Sequence, residues 1–270
     1  MDLGISGRTC VVTGASRGIG LATARILCAE GARVLLVARN EARAIAAADQ
    51  CVAAGEGAGG TAEAFACDVT AAEAAERILA AAEERLGPVD VLVNNAGTAS
   101  WRDLDDVPDE DWYAAWELNV MAPMRLMRAA TPGMRERGWG RVVNVSSTAG
   151  KRPSAAMAEY SVAKAAELSL SRLYADRCAA DGVLVNAVCP GPVKSELWMD
   201  EGGLLDQSQE MAGHASRTDA LEAAGSKRPI GRLAEVSEIA GAIAFLCSEQ
   251  ASYVAGAAWS VDGGTVQVII

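Results

Sequence analysis

Thr13-Gly14-Ala15-Ser16-Arg17-Gly18-Ile19-Gly20 is the stretch that decides the fold. Upstream, residues 9–13 form a short β-rich run; downstream, residues 19–30 carry apolar side chains at helical period. Glycines in such a strand-to-helix turn let the backbone fold back tightly and approach a pyrophosphate, which then sits at the positive end of the helix. The spacing is Gly-x-x-x-Gly-x-Gly rather than Gly-x-Gly-x-x-Gly. A tight turn needs glycine for its own geometry, so the motif gains weight from its place between the first strand and the first helix.

Working outward, strand-like and helix-like segments alternate. Residues 34–38, 62–67, 89–93, 141–146, 183–188 and 257–261 read as strands, and residues 42–53 and 72–85 as helices. Residues 55–60 are a loop, and further helical segments lie between and after the buried strands at 89–93 and 141–146. Strands separated by helices of this length predict a parallel sheet covered on both faces. Seven strands with no Pro/Gly/Ser-rich linker predict an α/β chain of one doubly wound domain over residues 1–270. One stretch, 194–229, breaks the alternation. It mixes Leu197, Trp198, Met199, Leu204, Leu205 and Met211 with acids and glycines at no steady period. A long excursion after a strand's C-terminal end, where open α/β sheets bind ligands, is expected to act as a lid.

Composition excludes several classes. Hydrophobic residues make up 51% of the 270, enough for a buried sheet, while aromatics are only 4%, so the core is expected to be Ala, Val, Leu and Ile. A formal charge of −11 argues against nucleic-acid or anionic-membrane partners, which need a basic face. No apolar run is long enough to span a bilayer, and the first residues lack the basic-then-apolar pattern of a signal peptide, so a cytoplasmic location is expected. Seven scattered cysteines without Cys-x-x-Cys spacing read as small buried hydrophobes in a reducing compartment, and no metal site is expected. His214 is the only histidine and supplies neither a metal cluster nor a Ser-His-Asp triad, although an isolated role stays open.

Tyr160-Ser161-Val162-Ala163-Lys164 carries the chemistry. A phenol titrates near pH ~10 and is by itself a poor acid–base group at neutral pH. A lysine four residues on lies one helical turn away, and its ammonium favours the phenolate. The same pair also occurs on solvated helix faces, so other features have to support it.

They do so in order along the chain. Thr13-Gly14-x-x-x-Gly18-x-Gly20, then Asn94-Asn95-Ala96-Gly97, Asn119, Asn144-Val145-Ser146-Ser147, Tyr160-x-x-x-Lys164, Pro190-Gly191 and the closing Tyr253-Val254-x-Gly256 and Val261-Asp262-Gly263-Gly264 resemble the short-chain dehydrogenase/reductase family. The likeness runs over residues 8–264, with Ser147 thirteen residues before Tyr160 and Asp68 after the third strand. It implies a Rossmann fold and a tetrad of Asn119, Ser147, Tyr160 and Lys164. Tyr160 would be the general acid in carbonyl reduction and the base in alcohol oxidation, and Ser147 would hydrogen-bond the substrate oxygen. Lys164 would hold the nicotinamide ribose and lower the phenol pKa, and Asn119 would position a relay water behind it. For Asn119 the bland alternative is a helix-kink residue, and for Ser147 a strand-end cap.

The resemblance also implies a cofactor track. Gly14, Ser16, Arg17, Gly18, Ile19 and Gly20 would form the phosphate turn, and Asp68 and Val69 would meet the adenine. Asn95, Ala96 and Gly97 would pass under the adenosine, while Asn94 would brace the sheet. Pro190, Gly191, Val193 and Ser195 would contact the carboxamide. Asp262-Gly263-Gly264 reads as structural. A carboxylate at the end of the second strand would hold the ribose hydroxyls of NAD, but here that strand ends Val37-Ala38-Arg39-Asn40. Arg39, with Asn40 beside it and Arg17 approaching from the glycine turn, favours the 2′-phosphate of NADP(H) over NAD(H).

The leading expectation is an NADPH-dependent reductase of a small-molecule ketone or aldehyde, reversible as an alcohol dehydrogenase. A 3-oxoacyl-acyl-carrier-protein reductase is one form of it. Its carrier would need a basic patch, which Arg125, Arg128, Arg135, Arg137 and Arg141 would provide if they shared a face, whereas Glu196, Asp200, Glu201, Asp206 and Glu210 make the lid acidic. An NAD-dependent sugar- or steroid-type alcohol dehydrogenase and a non-catalytic nucleotide-binding protein are the alternatives. Trp101 and Trp198 either wall an apolar substrate pocket or simply pack. The family implies a homotetramer, or a dimer, with the apolar end Val266-Gln267-Val268-Ile269-Ile270 covered by a neighbour or by its own sheet edge.

Overall fold

A computed structural model describes residues 2–267 of the chain. The elements run β1 (Thr9–Thr13), α1 (Gly18–Ala29), β2 (Arg33–Ala38), α2 (Glu41–Ala54), β3 (Thr61–Ala66), α3 (Ala74–Arg85), β4 (Val89–Asn94), α4 (Asp109–Trp116) and α5 (Ala122–Glu136). They continue with β5 (Gly140–Val145), α6 (Ala158–Cys178), β6 (Val183–Pro190), α7 (Glu196–Met199), α8 (Leu204–Ala212), α9 (Arg217–Ser226), α10 (Val236–Leu246) and β7 (Ala258–Val261). The strands form one parallel seven-stranded sheet in the order β3-β2-β1-β4-β5-β6-β7.

Strand alternation builds the two helical layers. Cys10 and Val12 of β1 and Val34 and Leu36 of β2 point into one apolar cluster, shared with Leu27 of α1 and Ile239 and Ile243 of α10. Val11, Leu35 and Val37 point the other way, into a cluster with Ile78 of α3 and Leu126 and Met127 of α5. A strand buried on both faces therefore needs no polar positions, which is why the sequence reads as continuous apolar runs. Each fully buried aliphatic side chain contributes about 1.5–3 kcal/mol.

From β1 the chain builds outward to β3 and then returns to lay β4 on the other side of β1. Strand order reverses there, and a crevice opens beyond the C-terminal ends of β1 and β4. Two features depart from the sequence reading. The 194–229 segment is three short helices, α7 to α9, with Leu204 and Leu205 buried beneath it, rather than an irregular excursion. In addition, the long helical run from Asp109 to Glu136 is interrupted by a π-helical turn, Glu117–Met121, that contains Asn119. Of the apolar end, Val268, Ile269 and Ile270 lie outside the described residues.

Candidate active site

The crevice is a cleft of about 1260 Å³ bordered by the glycine turn, the ends of β2 to β6 and the α7–α9 segment. Its floor is tied together by Thr13, whose Oγ1 donates to the Val93 carbonyl and accepts from the amides of Asn95 and Ala96, both at 3.0 Å. Asn95 Nδ2 donates back to the carbonyls of Thr13 (2.9 Å) and Gly14 (3.2 Å), bracing the turn. Gly14 has φ +64°, and a Cβ there would stand 2.8 Å from Ala96 Cα, so neither conformation nor space admits a side chain. Arg17 at the N-cap of α1 makes no side-chain cap. Glycines pressed against the strand ends and an uncapped helix N-terminus fit a dinucleotide's phosphates.

At the end of β2, Ala38 stands where a ribose-binding acid would be placed, and Arg39 borders the cleft beside Asp68. The Thr70 amide, with the Thr70 hydroxyl and Arg39 behind it, pulls the Asp68 carboxyl below its ordinary value. Arg17 departs from the expected convergence. Its Nη1 forms an ion pair with Asp200 Oδ2 at 3.0 Å, just beyond α7, because the start of the α7–α9 segment lies beside the glycine turn and offers it an acid.

Ser147 follows β5 and caps the next turn, its Oγ accepting from the Ala149 amide at 3.0 Å. Tyr160 lies in the first turn of α6, and Lys164 Nζ is 5.8 Å from its ring centroid. The lysine is buried, donating to the Val145 carbonyl (2.8 Å) and to Glu167 Oε2 (2.9 Å). Burial would depress the Lys164 ammonium, but Glu167 and then Tyr160 outweigh it and raise its pKa above the usual lysine value. Burial likewise raises the Glu167 carboxyl, and Lys164 opposes that rise. Asn119 Nδ2 donates to the Ala115 carbonyl at 2.9 Å, while its buried Oδ1 has no partner. A Cβ on Gly97 would lie 3.4 Å from that oxygen and 3.9 Å from Lys164 Nζ, so Asn119, Gly97 and Lys164 converge.

Thus Ser147, Tyr160 and Lys164 border the cleft, and Asn119 stands directly behind it. Ser16, Ile19, Val69, Pro190, Gly191, Val193 and Ser195 also border it, as do Trp101, Trp198 and His214. Gly20 and Asn40 do not. A Cβ on Gly20 would meet Asn95 Nδ2 and the Gly14 carbonyl, both at 2.5 Å, so Gly20 serves packing. Asn40 caps α2 by accepting from the Arg43 amide at 2.9 Å. Asn94 braces the sheet as expected, donating to Asn144 Oδ1 at 2.8 Å.

Four of the five arginines on and after α5 are already engaged, while Arg128 is exposed and has no ion pair among the described residues. Arg125 pairs with Glu117, Arg135 with Asp181 at 2.6 Å and Arg137 with Asp90 at 3.7 Å; Arg141 is buried against Glu249. Sequence reading missed Glu167, although its place three residues after Lys164 on one helix is a readable signal. It also missed Arg152, Lys227 and Arg228 on the cleft wall, which carry no local motif. All seven cysteines are buried and unpaired, with burial pushing the Cys247 thiol up to about 12. Among the described residues no group of three or more His, Cys, Asp or Glu is placed to hold a metal ion, and no helix is long and apolar enough to cross a membrane.

Residues 8–203 match the short chain dehydrogenase family model, and the chain belongs to that family of oxidoreductases. It is 34% identical over 266 residues to the 3-oxoacyl-(acyl-carrier-protein) reductase FabG of Vibrio cholerae, covering 98% of this chain and 100% of that protein. Among solved structures, the L-sorbose reductase of Gluconobacter frateurii, complexed with NADPH and L-sorbose, superposes with a TM-score of 0.90 at 36% identity, over 100% of both chains. An NAD+-bound xylitol dehydrogenase superposes at 0.87 with 28% identity, over 96% of this chain and 99% of the other.

Proposed function

We propose that this chain is a nicotinamide-dependent carbonyl reductase and alcohol dehydrogenase, preferring NADP(H), in which Tyr160 is the general acid and base. The observation that carries this reading is the buried, charge-compensated Lys164 one turn from Tyr160, beside Ser147. Gly14, Gly18 and the N-terminus of α1 would hold the cofactor's phosphates, Asp68 and Val69 its adenine, and Lys164 its nicotinamide ribose. When bound, the cofactor supplies or accepts a hydride.

The protein's own steps are proton and charge management. Ser147 Oγ donates to the substrate carbonyl oxygen and stabilises the negative charge that develops there. Tyr160 delivers its phenolic proton to that oxygen, and the Lys164 ammonium, fixed one turn away, offsets the negative charge left behind. Asn119 Oδ1 is the acceptor for a relay water that returns a proton past Lys164. Trp101 and Trp198 wall the substrate end, and α7–α9 act as the lid, joined to the strand end by Trp101 N donating to Gln207 Oε1 at 2.8 Å.

Arg39 and, once released from Asp200, Arg17 favour a 2′-phosphate. A free small-molecule carbonyl suits the site better than a carrier-bound acyl chain, because four of the five arginines that would dock an acidic carrier pair with acids of this chain, leaving only Arg128. We further infer a single-domain cytoplasmic enzyme assembling as a homotetramer or dimer. A screen of ketones and aldehydes with NADPH and NADH in parallel tests the proposal. Turnover faster with NADPH is expected, and tight NADPH binding without turnover of any carbonyl would refute it.

A further inference from the structure

The cleft contains two guanidinium groups that neither the reaction above nor an internal acid uses. Arg152 lies on the loop between Ser147 and Tyr160, its amide donating to the Thr148 carbonyl at 2.8 Å. Arg228 follows α9 at the far end of the lid, and its Nη1 donates to the Ala224 carbonyl. Both border the cleft, and Lys227 borders it beside Arg228. Of the other cleft arginines, Arg17 pairs with Asp200 and Arg102 with Asp111, while Arg39 lies at the far, cofactor end and is assigned to the 2′-phosphate above.

Arg152, Lys227 and Arg228 have no carboxylate within ion-pair distance among the described residues. Arg228 Nε is moreover buried without a hydrogen-bond partner. Burial, and then the neighbouring Arg152, hold the Arg228 guanidinium below its ordinary value; Glu159, which also borders the cleft, is not among the groups acting on it. A guanidinium stays charged under such perturbation, so two positive charges border the same cleft with a donor left over. Buried charge without a counter-ion is costly, and a planar fork of N–H groups is best matched by a carboxylate.

We infer that the substrate is an oxo acid, or its hydroxy acid, whose carboxylate is clamped between Arg152 and Arg228 while its carbonyl meets Ser147 and Tyr160. This rests on the reaction proposed above. The balance is that of any such reduction: the carbonyl carbon gains the hydride, its oxygen gains the Tyr160 proton, and the carboxylate is untouched. Because one arginine belongs to the loop that carries the reacting residues and the other to the lid, the anion ties the two together.

The test uses the full chain with NADPH and the oxopentanoates with the ketone at each chain position, each beside its methyl ester. At least one acid is expected to exceed its ester in kcat/KM by about tenfold or more, and Arg228→Met and Arg152→Met to reduce that ratio by about ten- to a hundredfold. Arg228→Lys keeps the charge without the fork and is expected to fall between. Arg152 is exposed, so its variant reports even if Arg228→Met fails to fold. Calorimetric titration of pentanoate, which has no ketone, separates the two ideas. If pentanoate binds the NADPH-loaded protein in an arginine-dependent way while no ketone turns over, the carboxylate site stands and the reductase reading falls. Equal rates for acids and esters, or a preference and pentanoate binding that survive both substitutions, would overturn the inference.

Discussion

Two ion pairs of nearly equal length involve residues of the same cleft. Lys164 and Glu167 meet at 2.9 Å with side chains 3% and 2% exposed. Arg17 and Asp200 meet at 3.0 Å with side chains 45% and 56% exposed. Length does not distinguish them, but surroundings do. Water and ions screen the exposed pair, which contributes about 0–1 kcal/mol and can be exchanged for another anion at little cost. For the buried pair, loss of one partner leaves an uncompensated charge in the interior, costing about 3–5 kcal/mol. The chain thus holds a fixed charge where proton transfer is proposed and a releasable one where a phosphate is proposed to enter.

The largest break in this comparison is Glu167→Ala. It is expected to lower unfolding stability by about 3–5 kcal/mol in urea titration, whereas Lys164→Met combined with Glu167→Leu regains most of the loss. A Glu167→Ala protein as stable as the parent would show that the interior holds Lys164 without its carboxylate partner at no cost.

Next in size is cofactor choice. Arg39→Asp is expected to cut the NADPH-over-NADH ratio of kcat/KM by about tenfold or more, since a carboxylate repels a 2′-phosphate and accepts from a ribose hydroxyl. An unchanged ratio would remove Arg39 from the phosphate site.

A pH effect follows from Glu167. The raised Lys164 pKa means that this lysine's contribution to stability is complete below the ordinary lysine value and is lost as pH rises through the higher folded value. Glu167→Gln removes the charge that raises it. The alkaline limb of kcat/KM is therefore expected to move to lower pH, and a limb that stays in place would mean that Lys164 does not set it.

Asp200→Asn has the smallest expected effect, about 0–1 kcal/mol in stability. NADPH affinity is expected to rise modestly at low salt as Arg17 is freed. A fall in affinity would show that Asp200 helps to hold the cofactor rather than competing with it.

What could be read from the sequence was what is local. β1, the glycine turn and α1 are contiguous, and the apolar runs of β4, β5 and β6 state their own burial. Tyr160, Lys164 and Glu167 share one helix, so their meeting is written in the spacing. Helices α7 to α9 escape the sequence reading because they are only 4, 9 and 10 residues long, although Ser216 capping α9 by accepting from the Asp219 amide is a local clue. Pairings between distant segments left no such trace. Arg17 and Asp200 are 183 residues apart, and Arg135 and Asp181 are 46 apart, so neither pair shares an element whose period would disclose it. The Arg152–Arg228 clamp was hidden for the same reason.

The most direct measurement is single-turnover oxidation of NADPH by an oxo acid in the parent chain and in Tyr160→Phe. The phenylalanine keeps the ring beside Lys164 and removes only the proton donor. Turnover in the parent and a loss of about a hundredfold or more in Tyr160→Phe, with NADPH binding retained, is the expected result. Equal rates in the two proteins would contradict the assignment of Tyr160 as the acid.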